Sequence, residues 1–377
     1  MNGVLKYLIF FISATVITGC KKPYSPPAIN SPGSYLVVEG VISPGTELTT
    51  IKLSRTVKIS NNAIAPESGA TMTIEGDQNE TYPMVPNGAG VYTCTVGSGI
   101  SKKYRLKIAT ADGQQYLSNF EVAQNTPPID SIGYKLTQNG LQIYVNTHDP
   151  RNSTHYYRWD YGETWQFHAK YFSQFEIKDN QLLVRAKQIY GCFGSDSSSN
   201  IVLGSSASLQ QDVIYQQPIT DILATSEKLE TKYSILVREY ALTGEAFNFW
   251  TNLRKNTEQL GSIFDAQPST INGNIHCISN PALPVLGYIS VSSTQSKRIF
   301  ITNLQLPNNF FPTYPYNCAE DTVKWVDLPS ILTVAPGIID VTTQASKNGF
   351  VIGYLVTTPI CADCTLRGTT TQPYFWK

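Results

Sequence analysis

The chain reads as mainly β: an N-terminal immunoglobulin-like β-sandwich followed by a larger β-rich domain with one or two helices. Three observations predict this. Short runs rich in Val, Ile, Thr and Tyr recur between turn residues from 35 to 124, about six or seven of them, which is the spacing of a sandwich. The pattern stops at Pro127-Pro128 and restarts beyond it. Only one stretch, beginning at Thr243, carries clear helical periodicity. Composition agrees: charged residues are 15% of the chain while Tyr alone numbers 22, a balance suited to an extracytoplasmic β-protein.

The chain opens with "MNGVLKYLIFFISATVITGC", in which Lys6 precedes an apolar run of 11 residues, Tyr7 to Ile17. A bilayer span needs about 20 residues, so the run fits the hydrophobic core of a secretion signal. Ile17-Thr18-Gly19-Cys20 resembles a bacterial lipobox, in which the cysteine is acylated and the chain is cut just before it. Residues 1–19 are therefore expected to be a lipoprotein signal peptide and Cys20 a lipid anchor that attaches the protein to a membrane without crossing it. Lys21 is not the aspartate of inner-membrane retention, which favours an outer-membrane address. Residues 20–34, with four prolines in "KKPYSPPAINSPGS", read as an extended tether.

Strands are expected at "YLVVEGVI", "LTTIKLSRTV", "ATMTIEGD", "GVYTCTV", "KYRLKIATAD" and "QQYLSNFEV", making residues 35–124 the sandwich. Tyr92, Cys94 and Val96 share one strand face, so Cys94 reads as a buried core thiol. Residues 125–377 form the second domain, starting with "IGYKLTQNGLQIYVNTHD", whose "QNGLQ" is a hairpin turn. More strands follow at "THYYRWDYGETWQFHAKY", "QLLVRAKQIY", "SILVREYAL", "LGYISVSS" and "KRIFITNL". Thr243 can cap the helix, with Glu245 in its first turn. Ala246, Phe249, Trp250, Leu253 and Leu260 form a core-facing stripe, and Gly261 can end it.

Function classes narrow from here. Lys+Arg and Asp+Glu both number 28, and removal of Lys6 with the signal leaves the remainder one charge negative. No basic stripe stands out, so no nucleic-acid partner is expected. No H-E-x-x-H, G-x-S-x-G, phosphate-binding loop or dinucleotide fingerprint occurs, so neither catalysis nor a cofactor is expected. The histidines are His148, His155, His168 and His276. His148, in the polar loop "NTHDPRN", reads as a solvated turn. The most suggestive cluster is "YYRWDYGETW". Strict alternation puts Tyr157, Trp159 and Tyr161 on one face and Arg158 with Asp160 on the other. Arg158, Asp160 and Glu163 could face a ligand, or serve as acids of a glycosidase. The plainer expectation is an aromatic core with Arg158 paired to a carboxylate across the sheet.

"CADC", residues 361–364, is weighed as redox centre, half zinc site or staple. The sequence after Cys364 is a poor helix, against a thioredoxin-like site, and no second C-x2-C exists to complete a zinc site, so no metal is expected. A chain that leaves the cytoplasm can oxidise its cysteines. Cys192, Cys277, Cys318, Cys361 and Cys364 are the disulfide candidates, an odd number that leaves at least one free unless Cys94 takes part. A Cys361–Cys364 bond would close a tiny loop worth about 2 kcal/mol, whereas Cys318 joined to either would be worth about 4. The longer staple is preferred.

The ordered set of lipobox, "YLVVEGVI", "IKLSRT", "SGATMTI", "PPIDSI", "YYRWDYGETW", "GNIHCISNP", "LGYISVSS" and the terminal "CADCTLRGTTTQPYFW" resembles the domain-of-unknown-function 4249 family of Bacteroidota lipoproteins. The resemblance covers essentially the whole mature chain. It implies an envelope lipoprotein often associated with TonB-dependent outer-membrane receptors, and no defined activity. Lys21-Lys22-Pro23 lacks the acidic residues that usually follow the acylated cysteine in surface-exported lipoproteins of that phylum, which leaves the face of the membrane open. The expectation is thus a non-catalytic, outer-membrane-anchored accessory to a TonB-dependent receptor, with a glycan or peptide ligand. A structural or adhesion lipoprotein and a glycan hydrolase using Asp160 or Glu163 are the alternatives.

Overall fold

Alternation along Leu36–Ile42, Thr49–Arg55, Thr71–Gly76 and Lys103–Ala109 gives each strand one apolar row and one polar row. In the computed structural model those apolar rows face one another across a first β-sandwich. Leu36, Val38, Ile51, Leu53 and Tyr92 come from one sheet, and Met72, Ile74, Tyr104, Leu106, Ile108 and Tyr116 from the other. The structure describes residues 34–57, 65–97, 101–179, 181–258, 273–314, 316–330 and 340–376. The expected signal peptide and Cys20 lie outside the described residues, as does the tether except for Ser34. From Tyr35 onward the described residues form one compact unit.

One sheet of the sandwich runs Leu36–Ile42, Thr49–Arg55, Val91–Cys94 and Val85–Pro86. The other runs Gln115–Ser118, Lys103–Ala109, Thr71–Gly76 and Thr81–Pro83. This is the strand order of an immunoglobulin-type sandwich. Cys94 is only partly buried, at the margin of this core, rather than enclosed within it.

The expected boundary at 124/125 fails at one place. Residues 274–292, expected in the second domain, return to the first sandwich and extend both of its sheets. Ile275–Cys277 pairs with Gln115–Ser118, and Val285–Leu286 and Ser290–Val291 pair in parallel with Leu36–Ile42. The physical reason is burial together with edge protection. Ile275, Cys277, Val285, Ile289 and Val291 enter the first core, and one edge of each sheet gains a covering strand. Asn274 ties the segment down, donating to Glu121 and to the Ile289 carbonyl while accepting from the Ile289 amide.

The second domain holds another sandwich. A three-stranded sheet (Ile129–Leu136, Gly140–His148, Val213–Leu223) packs on a five-stranded sheet. The latter consists of Gly191–Ser197, Val202–Ser205, Tyr156–His168, Lys232–Ala241 and Thr294–Thr302. Between them lie Leu141, Ile143, Val145 and Ile222 on one side and Tyr157, Trp159, Phe167, Tyr233, Ile235 and Val237 on the other. The helix runs Gly244–Glu258, and Thr243 caps it by accepting from the Ala246 amide at 3.2 Å. Ala246 and Phe249 are buried against Leu203, Leu242 and Tyr288, with Trp250 and Leu253 packed beside them. Leu260 and Gly261 lie outside the described residues. Toward the C-terminus a small sheet (Asp321–Lys324, Phe350–Thr357, Asp340–Lys347) precedes a single helical turn, Pro359–Ala362.

Candidate functional site

The strand Tyr156–His168 is central to the five-stranded sheet, so its two rows of side chains meet different surroundings. Its inner row enters the core. Trp159 lies opposite Glu239 across the ladder and donates its indole N–H to Glu239 Oε2 at 2.7 Å. Thr147, from the facing sheet, donates to Oε1 at 2.9 Å. Glu239 is fully buried, and burial pushes its carboxyl up to about 7 against the two donors that favour the charged form. Tyr157 donates to Asp212 in the same core.

Glu163 also belongs to the inner side. It accepts from Tyr233 at 2.7 Å and pairs with Lys228 at 2.5 Å. Asp160 points the other way and pairs with Arg238, directly opposite on the neighbouring strand. The two acids are therefore on opposite faces of one strand, each neutralised by its own cation. They do not converge on a common bond, which a glycosidase pair requires.

The outer row builds the candidate site. Arg158 lies opposite Tyr240 and half-buried between two rings, its guanidinium 4.9 Å from the centroid of Tyr240 and 4.3 Å from that of Trp250 on the helix. Among the described residues the expected carboxylate partner is not found: Arg158 makes no hydrogen bond to any of them, and its Nε is buried without a partner there. The reason is register, since the alternating cross-strand partner of Arg158 is Tyr240, while Asp160 meets Arg238. Desolvation by burial lowers the pKa of Arg158, with Asp160 acting in the opposite direction. A desolvated cation–π contact is worth about 2 kcal/mol, which helps retain the charge where it lies.

Next along this face come Gly162, Leu236 and Arg298, aligned across three strands. A Cβ built on Gly162 meets no heavy atom within 4 Å. Beyond it Arg298 donates to Ser234 at 2.9 Å and stacks on Phe375 of the C-terminal tail, 3.6 Å from the ring centroid. The result is a strip of three arginines, flanked by Trp250 and Tyr240 at one end and Phe375 at the other, with an unfilled step at Gly162.

Arg238, Tyr240, Trp250, Arg298 and Phe375 are absent from the sequence-based cluster. Alternation in "LVREY" does place Arg238 with Tyr240, but which strand lies beside Arg158 is a long-range fact. Trp250, assigned to the core stripe, does both jobs: it packs beside Phe249 and covers Arg158.

Among the described residues the cysteines resolve into two disulfides, Cys318–Cys361 and Cys192–Cys364, spanning 43 and 172 residues. "CADC" thus holds the tail at two separate points. Cys277 is buried and free, and Cys94 is free with its thiol pushed up to about 11 by burial. His148 is exposed and sits 2.8 Å from Asp130, which raises its pKa through that hydrogen bond. Among the described residues no group of three or more His, Cys, Asp or Glu is placed to hold a metal ion, and no helix is long and apolar enough to cross a membrane.

A family model described as "Domain of unknown function (DUF4249)" matches residues 21–298. No curated protein matches the chain. Among solved structures, Escherichia coli alpha-2-macroglobulin activated by porcine elastase aligns with 56% of this chain at 9% identity and a TM-score of 0.19. The alignment spans 18% of that chain, and at this score the likeness carries no argument.

Proposed function

This chain belongs to that family, and from this premise we propose that it is a lipid-anchored binding protein of the Bacteroidota outer membrane, working beside a TonB-dependent receptor and performing no catalysis. The binding half of the reading rests on one observation: Arg158, half-buried on an outer sheet face, has no hydrogen-bonding partner among the described residues. The terminal N–H groups of its guanidinium, without an acceptor among the described residues, can make charge-assisted hydrogen bonds to a bound ligand. The anchoring half rests on Ile17-Thr18-Gly19-Cys20. Glycan hydrolysis by Asp160 and Glu163 is less well supported, because each acid is paired and they face opposite ways.

A structural or adhesion role draws support from exposed apolar residues around the C-terminal sheet, including Trp325, Val326 and Phe350. Crosslinking the lipidated protein in native outer membranes separates the readings. Copurification of a TonB-dependent receptor is expected, and Cys20→Ser should abolish both palmitate labelling and the crosslink. Deletion that impairs surface attachment while nutrient uptake is intact would favour the adhesion reading.

A further inference from the structure

We propose that the outer face of the five-stranded sheet binds a uronic-acid-containing oligosaccharide, whose carboxylate is gripped by Arg158 and Arg238 while a sugar ring fills the step over Gly162. The inference rests on the binding reading above and names its ligand class.

The argument begins with what Arg158 lacks. A guanidinium carries five N–H donors in a planar fork matched to a carboxylate. Here the rings of Tyr240 and Trp250 orient that fork and shield it, yet among the described residues no acceptor completes it. The acids acting most strongly on Arg158 are Asp160 and Glu39. Asp160 is already engaged by Arg238, and neither acid hydrogen-bonds Arg158. Among the described residues the three guanidiniums of this strip share one ion pair, Arg238 with Asp160, and the surplus positive charge calls for an anion.

The shape indicates what carries that anion. Same-face residues along a strand repeat at about 6.7 Å, so the Arg158 row and the Gly162–Arg298 row lie about 13 Å apart. The arginines are thus set out along a line rather than around one point. Of the rings at the two ends Tyr240 is buried, but Trp250 and Phe375 are partly exposed and the neighbouring Tyr374 is fully exposed, so apolar ring surface is open to the C–H groups of sugars. Gly162 supplies space where any side chain would stand on that line. Arg238 is partly exposed, at 36%, and the N–H groups it does not give to Asp160 and Tyr240 can join Arg158 on the same carboxylate.

Titration calorimetry of the full-length lipoprotein in detergent with trigalacturonate tests this, with maltotriose and triaspartate as comparison ligands. Trigalacturonate is expected to bind, and maltotriose at least tenfold more weakly. Arg158→Met keeps an unbranched apolar side chain between Tyr240 and Trp250, and it should weaken trigalacturonate at least tenfold in a protein that still unfolds cooperatively. Arg158→Lys should retain part of the affinity. Equal binding of maltotriose, triaspartate binding as tightly as trigalacturonate, or a folded Arg158→Met protein with unchanged affinity each overturns the proposal. None of these results bears on receptor crosslinking, so the broader reading stands or falls separately.

Discussion

Trp159 donates its indole N–H to a carboxylate of Glu239 that is wholly enclosed between the two sheets of the second sandwich. Burial lifts that carboxyl from an ordinary value near 4.5 to about 7. A group whose pKa is higher folded than unfolded binds more protons in the native state. Its contribution to stability is fully present below about 4.5 and is lost as pH rises toward 7. Above that the loss is complete. The size is on the order of 3 kcal/mol. Glu239→Gln mimics the neutral form, since its amide can accept from Trp159 and donate to Thr147. Denaturant unfolding at pH 5 and pH 8 should show wild type weaker at pH 8 and the variant with a flatter profile. A variant as pH-dependent as wild type over this range would assign the effect elsewhere.

The two disulfides should differ in how readily they open. Cys192 and Cys364 are both fully buried, whereas Cys318 is partly exposed. Mild reductant should therefore open Cys318–Cys361 first. On the chain-entropy model, loss of the shorter loop costs about 4 kcal/mol and loss of the longer one about 5. Non-reducing peptide mapping along a reductant titration reads both order and connectivity. A peptide with Cys361 joined to Cys364 would refute the pairing.

What was legible in the residues follows a physical line. Strict alternation exposes the first sandwich and separates Arg158 and Asp160 from Trp159, because a period of two depends only on local backbone geometry. The helix is legible from its cap and stripe for the same reason. The return of residues 274–292 is not: its strands are two or three residues long and pair with partners well over a hundred residues away, some of them in parallel. Nor is the Arg158 site, which needs Tyr240, Trp250 and Gly162 brought together by register. Connectivity among five candidate cysteines is likewise a property of the fold and not of spacing.

Gly287 secures that return. It has φ +130°, and a Cβ there would stand 2.1 Å from the Val38 carbonyl oxygen. Gly287→Ala should therefore detach the strand segments at 285–291 from Leu36–Ile42, beyond the backbone strain of about 1–3 kcal/mol alone. Hydrogen exchange should rise at residues 36–42 and 285–292 while Lys232–Ala241 stays protected. Gly45→Ala, at φ +126° with open space around its Cβ, isolates the strain term and should cost less. If both variants behave alike, close packing on Val38 is not what holds the segment.

The C-terminal tail closes the far end of the arginine strip, and Trp376 is its anchor. The indole is buried edge-on against Phe193 and Phe300, with ring centroids 5.2 and 5.6 Å away, and Lys232 lies over it at 5.6 Å. Phe193 and Thr369 exchange backbone hydrogen bonds just upstream, so the tail leaves the Cys192–Cys364 staple as a short added rung before the aromatic plug. Trp376→Ala should cost about 3 kcal/mol or more in thermal unfolding, as for a buried aromatic truncated to a methyl. It should also free Phe375 from Arg298, making the last residues open to carboxypeptidase while the disulfides stay intact. Tyr374→Ala, at a fully exposed side chain, should change stability by no more than about 0.5 kcal/mol. Equal effects of the two substitutions would mean that the tail is held by its staple alone.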